Sequence, residues 1–426
     1  MLKRVYVVDG ARTPFLKARG EPGPFAAADL AVMAGRALLA RVPAVSVDEV
    51  ILGCVIPAVD EANIARIVAL RLGLGAQVPA FTVQRNCASG LQALASAASQ
   101  IAAGRAQVIL AGGTEAMSRA PVQWNAGMSR WLAAVQRARD FGSRAQALAR
   151  FRPAWLKPVW ALAAGLTDPV VNLSMGQTAE ILAYRFGIAR AQQDAYALAS
   201  HQRLAAAFDA GLLRDEIEPL FAAGHSWMED DGLRRNTDLG QLQKLRPVFD
   251  RGYGSVTSGN SSQVTDGAAL LLLASEDAVA EQRLPVLGEI LGDAWAGVDP
   301  AQMGLGPVHA LNILYQRFGI TSRDLTLVEL NEAFAAQVLA CQSALDSRDY
   351  ARTELGRDTA PGAFEPAQLN VDGGAIASGH PVGATGARLV LHLLQALRRR
   401  GGGLGAATLC IGGGQGGAML IRCEGG

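Results

Sequence analysis

The sequence predicts an α/β protein made of two related α/β units with a mainly helical segment inserted between them. Three observations lead there. Short apolar runs alternate with longer helical stretches along most of the chain. The run "NCASGLQALASAASQIAAGRAQVILAGG" (86–113) goes turn, helix, strand, Gly-Gly, and "GHPVGATGARLVLHLLQALRRRGGGLGAATLCIGGG" (379–414) repeats that texture. Residues 119–250 interrupt the rhythm.

In chain order, "RVYVVDG" opens as a strand, since its apolar run is too short for a signal peptide. "ADLAVMAGRALLARV" carries a helical pattern and "EVILGCVI" a strand-like one. The helix after Cys87 and the strand "AQVILAGG" follow. In the second half "PVLGEILGDAWAG" and "DLTLVELNEAF" are strand-like starts, and the turn at His380 leads into a helix. "GAATLCIGGGQGGAMLIRCE" then reads as strand, Gly turn, strand. In the insertion, residues 119–160 hold Trp124, Trp131, Trp155 and Trp160, four of the six Trp, and eight basic residues against Asp140 alone. Trp131, Val135, Ala138, Phe141, Ala145, Leu148 and Phe151 recur at three and four and predict one apolar helical stripe. Arg130, Arg137, Arg139, Arg144 and Arg150 flank it. Two readings fit: a stripe packed on the protein's own core, or an interfacial helix at a membrane surface or a partner.

Composition bounds the rest. A chain of 426 residues predicts two or more packed units, and half of it is hydrophobic, as in a well-buried globular protein. The net charge of +1 gives no drive towards nucleic acid. The five cysteines form no CxxC, which argues against a disulfide framework or a zinc ribbon. The five His show no ligand spacing such as HExxH, so no metal site is expected. No stretch of about 20 apolar residues occurs, and a cytoplasmic soluble protein is the default expectation.

Four stretches could carry chemistry. Cys87 could be packing, a metal ligand or a nucleophile. A helix N-terminus favours the thiolate, and Ala88, Ser89 and Gly90 keep the approach open. His380 sits in "GGAIASGHPVGATG", a Gly-rich neck that admits a substrate closely, with Pro381 suited to the next helix's first turn. It reads as a base or donor. "CIGGGQGGA" resembles a phosphate loop only weakly, because strand-like sequence follows, and its Cys410 is a second thiol at a strand end. Asn331 in "LNEAF" fits a helix N-cap, a functional role, or both. A Cys nucleophile, a His base and Gly-turn N–H donors make a coherent acyl-transfer site. The second thiol adds a proton carrier.

Together these motifs resemble the thiolase family. "DGARTPF" (9–15), "NCASGLQA", "AGGTEAMS", "MGQTAE", "GSVTSGNSSQVTDGAA", "NEAF", "GGAIASGHPVGATG" and "CIGGGQG" come in the family's order and spacing over nearly the whole chain. The resemblance implies two βαβαβαββ halves in a five-layer α/β/α/β/α sandwich with an inserted loop domain. On that basis residues 1–118 and 251–275 form the N-terminal half, 119–250 the inserted domain and 276–426 the C-terminal half. It implies that Cys87 takes the acyl group as a thioester, that His380 deprotonates Cys87, and that Cys410 moves a proton at the acyl α-carbon or the CoA thiol. His380 and a water held by Asn331 would stabilise one oxygen, and the N–H groups of Cys87 and Gly412 the other. Ser262 and Met175 match the pantetheine channel, and Phe334 the acyl end.

The implied activity is CoA-dependent cleavage of a 3-ketoacyl-CoA, with acetoacetyl-CoA formation by the same site as its reverse. CoA would be a co-substrate, with no permanently bound cofactor, in a homodimer or tetramer. The basic insertion, "RTPFLKARG", "GPVHAL" and "ALDSRDYARTELGR" look like the β subunit of the fatty-acid-oxidation trifunctional complex. That implies an α subunit with hydratase and dehydrogenase activity as partner, and peripheral membrane contact is expected through residues 119–160. This branch carries His where the chain has Asn331, which matches the wider family. A decarboxylating ketosynthase would want a second His. A lipid carrier or scaffold on the same fold would not need Cys87, His380 and Cys410 together. A redox pair of Cys87 and Cys410 is a further reading.

Overall fold

Ten strands join into one sheet in the computed structural model, which describes residues 3–42 and 45–425. Met1, Leu2 and Gly426, at the ends of the two assigned halves, lie outside it, as do Pro43 and Ala44. From one edge the strands are Ala80–Val83, Glu49–Gly53, Val108–Ala116, Thr265–Ser275, Val5–Arg12, Gly288–Gly297, Gln415–Glu424, Gly402–Ile411 and Leu327–Leu330. The short Leu16–Lys17 adds to Thr265–Ser275. The halves meet where Val5, Tyr6 and Val7 pair antiparallel with Ile290, Glu289 and Gly288. The strands Val108–Ala116 and Thr265–Ser275 are buried along their whole length. That explains their unbroken apolar runs, because helices cover both faces.

The layers are those of the five-layer sandwich. Helices Ala27–Arg41 and Ile64–Arg71 cover the outer face of the first half, where Leu30, Leu38 and Val68 meet Leu52, Leu110 and Leu272. Gly306–Phe318 and Ala335–Asp346 do the same for the second half, with Leu311 and Val338 against Val328 and Leu420. Two helices fill the centre, Ser89–Ala102 and Val382–Arg399. The second is buried from Val382 to Leu397, its polar Arg388 and His392 included, because buried carboxylates pair with them.

The repeat seen in the sequence is spatial. Ala80–Val83 runs parallel to Glu49–Gly53 before the Cys87 turn. In the second half Leu369 bridges Val328 in parallel before the His380 turn. Cys87 and His380 therefore stand at corresponding turns of the two halves.

The insertion is mainly helical, as expected, with helices such as Met175–Arg185 and Arg190–Asp209, one short hairpin at residues 220–227, and the pair Val122–Trp124 and Pro158–Trp160 that closes around two helices. The single helical stripe predicted across residues 131–151 is not there. Helix Ala126–Arg137 ends, Ala138 is extended, and Asp140 caps a second helix, Phe141–Ala149, by accepting the Ser143 N–H at 2.8 Å. The stripe splits in consequence. Trp131 packs on Phe151 with ring centroids 5.0 Å apart and donates Nε1–H to Ala147 O at 2.9 Å. Phe141 and Leu148 are exposed to solvent.

The two central helices touch through backbone. A Cβ on Gly90 would stand 2.8 Å from Gly383 O and 2.9 Å from Ala387 N, and one on Gly386 would run into the backbone of Leu91. Replacing Gly386 by Val is expected to lower stability by about 1–3 kcal/mol through overpacking. Urea unfolding checks this, and a midpoint equal to wild type would mean that the helices have slack.

Candidate active site

The Cys87 turn is built by local hydrogen bonds. Asn86 adopts φ 43, in the left-handed region an Asn tolerates. Ala88 and Ser89 donate their N–H groups to Arg85 O and Asn86 O, both at 3.0 Å. Ser89 Oγ accepts the Arg85 N–H at 2.8 Å and donates to Asn86 O at 2.7 Å. Asn86 then reaches across, Nδ2 donating to Gly412 O at 2.7 Å. This bond ties the Cys87 turn to the Gly turn of the other half.

That Gly turn closes a hairpin between Gly402–Ile411 and Gln415–Glu424. Gly413 and Gly414 sit at φ +92 and +78, which glycine adopts without strain. A strand and not a helix follows, so the phosphate-loop reading falls away. Cys410, one residue before the strand's end, is buried.

His380 lies just before the helix Val382–Arg399, with Pro381 at the N-cap. Its Nδ1 is 2.7 Å from Thr385 Oγ1, and Thr385 itself donates to Pro381 O at 2.9 Å. The hydroxyl proton is thus used, so Thr385 accepts the Nδ1–H and Nε2 keeps its lone pair. Nε2 faces Asn331 Nδ2 at 3.4 Å. Asn331 is not the N-cap the sequence allowed. The next helix starts at Ala335, and the Asn331 side chain points inward with Oδ1 meeting no donor among the described residues.

Two cavities converge on Cys87. The first, 240 Å³, is lined by Cys87, His380, Cys410, Ser262, Met175 and Phe334. Phe334 stands edge-on to Phe249 with centroids 5.9 Å apart. The second, 480 Å³, shares Cys87 and Met175 and reaches Gly412. So six of the eight residues singled out in the sequence share one cavity. Asn331 touches it through His380, and Gly412 lies on the far side of Cys87. Among the described residues no cluster of His, Cys, Asp and Glu could hold a metal ion, and all five cysteines are free.

Burial sets the protonation states. It pushes the Cys87 thiol up, against the lowering effect of the Gly412 N–H and its own N–H, and Glu115 raises it further. The N–H groups at the turn favour the thiolate, as the sequence suggests, but desolvation outweighs them. Burial also pushes the Cys410 thiol well up. It lowers His380 to about 3, with Arg388 adding to the effect. The resting site holds two thiols and a neutral imidazole.

Several residues of the site were not read from the sequence. Thr385 could have been, as a hydroxyl one helical turn after His380 in "GHPVGATG". Arg388 is buried and paired with Glu329 at 2.8 Å. Glu332 accepts hydrogen bonds from Tyr196, Ser200 and Asn370 side chains and from Ile376 N, which pins the Asn331 loop to the segment before His380. Glu115 accepts N–H groups from Val55 at 2.9 Å and from Ile56 and Gly383, both at 3.0 Å, and the Cys54 thiol at 3.5 Å. One carboxylate thus clamps the first turn of the His380 helix to the loop after strand Glu49–Gly53.

Burial raises Glu115 to about 7, against the lowering effect of those donors. Protonation would put an O–H where an N–H now points and loosen the clamp. Neither the Cys87 and Cys410 thiols, pushed up, nor His380, held near 3, titrates there. The kcat is expected to fall as pH drops through about 7, and Glu115→Gln to have low kcat with no such limb. An unchanged acid limb in that variant would assign the titration to another group.

The comparisons with known proteins agree over the whole chain. Residues 5–277 match the thiolase N-terminal domain and residues 284–423 the thiolase C-terminal domain. The chain is 40% identical over 426 residues to the 3-ketoacyl-CoA thiolase of Yersinia pestis (strain Pestoides F), covering 99% of this chain and 97% of that one. It superposes on human mitochondrial 3-ketoacyl-CoA thiolase, solved in complex with CoA, with TM-score 0.86 and 39% identity, over 99% of this chain and 98% of that one. The Bacillus anthracis acetyl-CoA acetyltransferase matches with TM-score 0.85 and 34% identity, over 99% of both chains. Paired halves, a thiol and an imidazole at corresponding turns, and family matches along nearly all its length make this chain a member of the thiolase family.

Proposed function

We infer that the protein is a 3-ketoacyl-CoA thiolase that splits its substrate with CoA into acetyl-CoA and an acyl-CoA two carbons shorter. The observation that carries this reading is one cavity lined by Cys87, Cys410 and His380, with the imidazole held neutral and its Nε2 lone pair turned towards Asn331 Nδ2. CoA enters as a co-substrate.

The chemistry follows from those groups. Nε2 of His380 takes the Cys87 proton as the sulfur attacks the keto carbon. The developing oxyanion meets the N–H groups of Cys87 and Gly412, each contributing roughly 3 kcal/mol by analogy with other oxyanion holes. The bond between the keto carbon and the α-carbon breaks, leaving an acyl group on Cys87 and the enolate of acetyl-CoA. Cys410 donates its thiol proton to the enolate carbon. Incoming CoA returns a proton to the Cys410 thiolate, and the CoA sulfur attacks the Cys87 thioester. Cys87 leaves as thiolate and recovers its proton from imidazolium, so every group returns to its starting state. On this reading His380 and a water held by Asn331 would supply the donors for the enolate oxygen.

A separate observation supports membrane contact. Leu132, Phe141, Leu148, Leu156 and Trp160 are exposed in a segment with eight basic residues and one acid. Exposed apolar side chains set among arginines suit an anionic lipid surface. Anionic vesicles at low salt are expected to retain the protein, and Phe141→Ser with Leu148→Ser to release it. Equal retention of the double variant would remove the membrane role.

The main test is CoA-dependent loss of the 3-ketoacyl-CoA–Mg²⁺ absorbance. Cys87→Ala is expected to lower kcat by about 10⁴-fold or more, His380→Ala by about 10²–10⁴ and Asn331→Ala by about 10². Full activity in Cys87→Ala would end the acyl-enzyme reading.

A further inference from the structure

We propose that Asn86 is a positioning residue for acyl transfer: its side-chain amide holds the Gly412 N–H against the Cys87 sulfur and so fixes the oxyanion site. This rests on the thiolysis reading above and names the residue that sets the geometry of that site.

The Gly turn cannot hold its own shape. Gly412, Gly413 and Gly414 follow one another between the paired residues Ile411 and Gln415. Three successive glycines have no side chain to restrict the backbone, so the turn has little stiffness. A larger residue could not supply it from within, because a Cβ on Gly412 would stand 3.2 Å from Met175 Sδ. The far end of the turn is held by backbone, where Val298 N–H donates to Gly414 O at 2.7 Å. The Gly412 end is the one that faces Cys87, since its N–H favours the thiolate there. Asn86 holds this end, with Nδ2 donating to Gly412 O at 2.7 Å. Gly412 O can only accept, so the bond needs the amide nitrogen of Asn86.

The tether has a firm base. Ser89 donates its N–H at 3.0 Å and its hydroxyl at 2.7 Å to Asn86 O, which locks Asn86 at φ 43. Arg85, one residue earlier, gives the same turn a second hold on the other half. Its guanidinium lies over the Trp295 ring, 4.1 Å from the centroid, and Trp295 pairs with Gly417 on the strand that leaves the Gly turn. Asn86 is also the immediate neighbour of Cys87 in the chain. The nucleophile and the tether of the second oxyanion donor are thus adjacent residues. Sulfur and donors keep their spacing while charge develops, as a preorganised oxyanion site requires. The sequence motif "NCASGLQA" contained Asn86 without giving it a role.

Two variants separate the tether from the backbone. Asn86→Gly keeps the positive φ and removes the amide. Asn86→Asp keeps the shape, but an ionised carboxylate has no proton to donate to Gly412 O. Arg85 still anchors the turn in both. Thiolysis is measured beside alkylation of Cys87 by iodoacetamide, read from the mass of the Cys87 peptide. Alkylation uses the sulfur and the His380 base but builds no oxyanion. Both variants are expected to lower kcat by about 10–100-fold, somewhat less than outright loss of an oxyanion donor, with KM near wild type. Alkylation should slow by far less than kcat. Wild-type kcat in both variants overturns this role and leaves the thiolysis reading standing. So does a fall in alkylation as large as the fall in kcat, which would make Asn86 a support of the turn as a whole. No thiolysis in wild type overturns the activity reading and the role of Asn86 with it.

Discussion

The contact between the two central helices, backbone against backbone, is the constraint from which the site follows. Gly90 and Gly386 leave no room for a side chain, so Ser89–Ala102 and Val382–Arg399 approach as closely as helices can. Their leading turns then face one cavity, and those turns carry Cys87 and His380. Glu115 seals the junction from the side, and Asn86 ties it to the Gly turn after Cys410. A site drawn from two halves needs such a seam, because no single strand or loop spans it.

The same burial that makes the seam sets its electrostatics. Removing water raises the thiols and lowers the imidazole, so Cys87 stays a thiol until an electrophile is at hand. Nearby charges are paired accordingly. Arg388 meets Glu329, and Arg12 bridges Glu216 and Asp230 at 2.9 and 2.8 Å. Glu216 also meets His392 at 3.0 Å. Burial alone would lower His392, but Glu216, Asp372 and Glu329 raise it to about 10. Removing one partner from such a network leaves a buried charge alone, which typically costs about 3–5 kcal/mol. This network joins the insertion, through Glu216 and Asp230, to Arg12 of the first half and His392 of the second. The insertion is thus locked to the scaffold beneath the site it helps to roof.

The sequence by itself determined the class of fold, the pairing of its halves and the chemical kit. Apolar periodicity is a local property, so strands and helices were legible where burial is regular. The matching turn-helix-strand texture placed Cys87 and His380 at like positions. Tertiary structure decided what depends on partners far along the chain. The stripe at 131–151 kept its period but broke at Asp140, because a cap overrides spacing. Asn331 turned inward instead of capping a helix. The Cys87 thiol rose, since desolvation is a sum over neighbours that no motif contains. Glu115, Arg388 and the second cavity were invisible for the same reason: a buried carboxylate or an apolar wall takes its meaning from what folds against it.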